Sequence, residues 1–123
     1  MHGQLPGVTA SADLSAKQYY NVVQDAATTC AVAGAGVQTL GVLINEPESG
    51  EAADVILYGT AKMIVDGDAA AIAAGDFLKT DANGMGVVVA ADEDIICGLA
   101  LAASTADGDI IPVIVLSGIY GVV

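Results

Sequence analysis

Residues 54–66 limit the fold more than any other stretch. The odd positions, Val55, Leu57, Gly59, Ala61, Met63 and Val65, are small or apolar, and the even positions, Ile56, Tyr58, Thr60, Lys62, Ile64 and Asp66, are mixed. Alternation with period two marks a strand with one face turned to a core. At about 3.3 Å per residue, such a run reaches roughly 43 Å, too far for a straight strand in a domain of this size. Gly59 is the natural bend, where one strand passes from one sheet to another.

A hairpin follows. Gly75-Asp76 is a tight turn, residues 77–80 form a short strand, Asp81-Ala-Asn-Gly84 turns the chain, and residues 86–90 return. Asn-Gly between apolar runs is a strong local hairpin signal, because glycine enters positive φ without a Cβ penalty. Further strands are expected at residues 18–23, 28–33, 40–44, 95–103 and 110–116, separated by loops rich in Gly, Asp, Asn and Pro. One short helix fits at residues 69–74, capped by Asp68 and ended by Gly75. Residues 1–12, with Pro6 and Gly7 and no periodicity, read as an extended N-terminal arm before a single β domain at 13–123. The fold class is therefore all-β, with at most one short helix.

Composition sets the functional bounds. With no Trp, one Phe and four Tyr, the core must be built from Val, Ile, Leu and Ala. Three Lys, no Arg and 15 acidic residues give a formal charge of −12. Nucleic-acid binding draws its affinity from cations that neutralise phosphates, and anionic membranes need the same, so neither is an expected partner. The charge instead keeps an apolar chain dispersed. Cys30 and Cys97 sit in apolar runs and read as buried free thiols. The first residues carry neither a basic start nor an apolar signal core, so no export signal is expected.

No catalytic constellation emerges, and the chain is expected not to be an enzyme. There is no phosphate-binding glycine loop, and the one histidine, His2, stands alone near the N-terminus. Asp66-Gly-Asp68, Asp81-Ala-Asn83, Asp92-Glu-Asp94 and Asp107-Gly-Asp109 suggest calcium, but none has EF-hand spacing. Each falls where a turn is needed, so no metal and no cofactor are expected. Ala61-Lys62-Met63 resembles the lysine motif of biotinyl and lipoyl carrier domains, although alanine replaces the first methionine. Modification of Lys62 is the alternative function.

Taken in order, Ala12-Asp-Leu-Ser-Ala-Lys-Gln-Tyr-Tyr20, Gly41-Val-Leu-Ile-Asn-Glu-Pro47, Gly50-Glu-Ala-Ala-Asp-Val55, Gly59-Thr-Ala-Lys62, Ile72-Ala-Ala-Gly-Asp76, Thr80-Asp-Ala-Asn-Gly84 and Gly98-Leu-Ala-Leu101 resemble the small capsid decoration, or cement, proteins of tailed bacteriophages. The resemblance runs from about residue 13 to 116. It implies a compact β-barrel or β-tulip, made in the host cytoplasm and assembled as a homotrimer on the outer capsid surface of the virion. It also implies an N-terminal arm laid along the major capsid protein, with Leu5, Pro6, Val8 and Thr9 as contacts. The strand at 110–116 is apolar on both faces, and Pro112 marks it as an edge. An edge strand covered twice needs a second subunit, which puts Ile111, Val113 and Val115, or Ile114 on the other face, in the trimer interface.

Overall fold

A computed structural model describes the backbone of residues 3–5, 8–89 and 95–120 and the side chains of residues 8–89 and 95–116. Ten strands occur among the described residues: β1 (Gly3–Leu5), β2 (Thr9–Ala10), β3 (Asn21–Ala26), β4 (Thr29–Val32), β5 (Gly41–Leu43), β6 (Val55–Asp66), β7 (Phe77–Thr80), β8 (Gly86–Val88), β9 (Ile95–Ala100) and β10 (Asp107–Tyr120). The path β6–β10–β9–β7–β8 returns to β6 and closes a five-stranded barrel. From β6 the sheet continues through β5, β3, β4 and β2, while β1 pairs with β6. The protein is all-β, and no helix occurs among the described residues.

β6 organises both parts. Val55 and Ile56 pair with β1 and β5, whereas Tyr58 to Asp66 run antiparallel to β10. The change of partner falls beside Gly59, which has φ +95°. The expected bend is therefore present, and it feeds two cores. Met63, Val65, Leu78, Cys97, Ile111, Val113 and Val115 fill the barrel with Ile56. Val8, Ala10, Leu14, Val22, Cys30, Leu43, Ala53 and Val55 form a second cluster under the β3–β4–β5 sheet. Ile56 and Val55 point oppositely, so this end of β6 is buried on both faces. The cysteines lie in different clusters and are both free.

The hairpin is as expected from its turn residues. β7 and β8 pair antiparallel through Leu78–Val88 and Thr80–Gly86, and Gly84 has φ +81°. The Asp81 carboxylate accepts the Asn83 and Met85 N–H groups, which ties the turn to itself. The Gly84 carbonyl accepts both the backbone N–H of Asn21, at 3.0 Å, and its side-chain Nδ2, at 3.1 Å. Asn21 is fully buried, so it fastens the barrel hairpin to the second sheet.

Three expectations are corrected. Residues 69–74 form no helix, because Ile72 and Ser104 exchange backbone hydrogen bonds while the Asp66 carboxylate takes the N–H groups of Asp68 and Ala69. The N-terminal segment is extended, but it is not free of the domain. β1 runs along β6 and β2 pairs parallel with β4, and Val8 and Ala10 are core residues. β10 is not an edge strand: it lies between β6 and β9. Pro112 is tolerated because its carbonyl accepts from Leu101, one residue past the end of β9. The proline nitrogen, on the same side of the strand, therefore faces no ladder acceptor.

Candidate interaction surface

Among the described residues, carboxylates of the acidic turns are engaged by their own loops. Besides Asp66 and Asp81, Asp76 Oδ2 accepts the Ala73 N–H and Asp109 Oδ2 accepts the Ser104 hydroxyl. Hydrogen bonds from Ser11 and Thr29 hold the Asp25 carboxyl below its ordinary value, and Ser15 does the same for Asp13. Burial pushes the Cys97 thiol up to about 12, so it is no nucleophile at neutral pH. Among the described residues no three His, Cys, Asp or Glu side chains come together as a metal site. His2, residues 92–94 and Pro6 lie outside the described residues.

Lys62 is exposed and stands mid-strand in β6, opposite Pro112. A carrier lysine stands at a hairpin tip, so the modification reading loses its geometric basis. Tyr19 has φ +72°, a conformation that costs a non-glycine residue free energy. Its N–H donates to the Leu43 carbonyl and its own carbonyl accepts from Ile64, which bridges β5 and β6. Beside it a cleft of about 330 Å³ is lined by Gln18, Tyr19, Tyr20, Glu46, Ile64 and Ile110. The Gln18 amide is spent on the Ile44 carbonyl and the Lys17 ammonium sits 4.7 Å over the Tyr20 ring. The cleft therefore offers shape and an apolar floor rather than an acid–base pair.

The expected interaction residues separate sharply. Val8 is buried in the second core and Thr9 is held by Thr28 through its N–H, while Leu5 pairs with Val55. A partner cannot reach Val8 without unfolding this segment. Ile111, Val113 and Val115 point into the barrel and are at most 5% exposed. They pack the monomer and cannot form a trimer interface. Ile114 belongs to the opposite, outward face, with Ile110, Pro112 and Leu116. Sequence reasoning saw that both faces were apolar but not which one a closed barrel would consume. The signal it missed for Val8 and Ala10 is an apolar pair two residues apart, too short to stand out as a strand.

The fold defines an all-β protein built on a closed five-stranded barrel. Neither a protein-family model nor a curated protein sequence matches the chain. Among solved structures, it is similar to the N base of the head fiber gp8.5 of bacteriophage phi29, with a TM-score of 0.71 and 16% identity. The match covers 94% of this chain and 95% of that one. At that identity the likeness is one of fold.

Proposed function

We propose that this protein is a structural component of a tailed-phage head, carried as a homotrimer on the outer surface of the capsid, where it stabilises the shell. The observation that carries the reading is the end-to-end fold match to the phi29 head-fiber base. The order of motifs that resembles capsid decoration proteins adds an independent line. The charge of −12 suits a protein that accumulates at high concentration before assembly. Capsid contact by the N-terminal segment is made by the docked strands β1 and β2, with Thr9 of β2 among the contacts, rather than by an arm that swings free. Ordering entropy is then largely spent before binding.

The test is to purify mature heads of the encoding phage and ask whether the chain is present and reachable from outside. Mass spectrometry of the heads should find it, and protease added to intact heads should cleave it before the major capsid protein. Absence from purified heads, or protection until the shell is disrupted, overturns the reading.

A further inference from the structure

We infer that the outward ridge centred on β10, with β6 and β9 as its flanks, is the surface through which copies of this chain pack around a common axis. The inference rests on the reading of the protein as a self-associating head component, and it names the face used.

The register places the ridge residues. Along β10, Ile110, Pro112, Ile114 and Leu116 point outward and lie opposite Ile64, Lys62, Thr60 and Tyr58 of β6. On the other side Ile114 lies opposite Leu99, which in turn lies opposite Phe77 of β7. Leu101 donates its N–H to Pro112 and extends the ridge there. Five large hydrophobic side chains are exposed among the described residues, and four of them, Tyr58 (60%), Ile110 (49%), Leu101 (43%) and Phe77 (39%), are on this surface. Together with the partly exposed Ile114 and Leu116, they present on the order of 500 Å² of apolar surface, the size of a monomer's largest patch, which is often functional.

Charge selects the occupant. The chain carries 15 carboxylates against three lysines, so two copies repel over most approaches. From Tyr58 to Ile64 on β6 and from Ile110 to Leu116 on β10 the outward positions carry no carboxylate and one cation, Lys62, and Leu99 of β9 adds no charge. The acids Asp66, Asp107 and Asp109 gather at one end, beyond Ile110. The ridge is therefore the approach along which like-charged copies meet least repulsion while burying the most apolar area. A cationic partner would be drawn to the acidic loops instead.

Shape selects the arrangement. A five-stranded barrel is narrow, so a ridge three strands wide is convex and buries little against one flat partner. Around an axis, each copy uses both flanks, β6 against one neighbour and β9 with β7 against the other. This is a heterologous contact that closes into a ring.

Sedimentation velocity of the full chain across a range of concentrations tests this. The wild type should associate, and the Ile110→Asp/Ile114→Asp double variant should remain a monomer with native circular dichroism. Because Ile114 is half-buried, Tyr58→Ser and Lys62→Glu, both at exposed positions, supply a second reading. Each should raise the dissociation constant about tenfold or more. Val37→Asp, exposed elsewhere, should leave association unchanged. A monomeric wild type, or variants that assemble like it, overturns the inference. A monomer whose binding to heads is lost with Ile114→Asp also overturns it, in favour of a capsid occupant. Association lost in the variants of a protein absent from purified heads upholds this interface and removes the head reading alone.

Discussion

Replacing Gly84 with alanine tests the joint between the barrel and the second sheet. Gly84 has φ +81°, where an L side chain costs about 1 kcal/mol or somewhat more. A Cβ there would also lie 2.5 Å from Val32 Cγ1, and 3.2 Å from the Asn21 carbonyl. Something must shift, and forced repacking of this kind typically costs about 1–3 kcal/mol. Moving the turn would stretch two hydrogen bonds from Asn21, each contributing about 1 kcal/mol. The sum runs from about 2 kcal/mol, with both bonds kept, to about 6 kcal/mol, with both lost. In a chain of this length that corresponds to a fall in Tm on the order of 10 °C. Thermal and urea unfolding of Gly84→Ala, Val32→Ala and the pair would separate the parts. The steric share should be recovered in the double variant, as a coupling of about 1 kcal/mol, and the φ share should not. A Tm within about 2 °C of wild type for Gly84→Ala would refute both the conformation and the close contact.

Deleting residues 1–12 removes Val8 and Ala10 from the second core together with the bonds from Ala53 N–H to Val8 and from Gly50 N–H to Ala10. Stability in urea should fall by about 3 kcal/mol, and an unchanged midpoint would show that the segment is not docked. Val113→Asp places a carboxylate in the barrel core and should cost about 4 kcal/mol or more, whereas Ile114→Asp should keep a native circular dichroism spectrum. Cys97 should resist thiol reagents at pH 8 until the chain is unfolded. Its folded thiol titrates above the ordinary value of 9.0, so its stability contribution is intact below that pH and is lost as pH rises toward about 12. Cys97→Ala should flatten that alkaline loss, and an unaltered pH profile would contradict the burial.

Local grammar carried the fold as far as it is local. Phe77–Thr80 and the bend at Gly59 were legible because glycine, asparagine and alternation act over a few residues. Closure of the barrel was not, since β10 pairs with β6 some 50 residues earlier. An apolar strand with a proline therefore read as an edge in need of a subunit. Barrel closure supplies that neighbour from within the chain and turns Val113 inward, which leaves Ile114 as the residue of the expected interface that faces out. Asn21 went unread for a related reason: a lone asparagine at the start of a strand gains meaning only once Gly84 lies beside it. Val8 and Ala10 lacked a pattern longer than two residues.

The most direct measurement of the central claim is an image reconstruction of the phage head with and without this protein. The account predicts an added density on the outer surface, three barrels around each occupied three-fold position, with the β10 ridges turned toward the axis. Heads that show no such density when the protein is supplied, or barrels that sit singly with the ridge exposed to solvent, would contradict it.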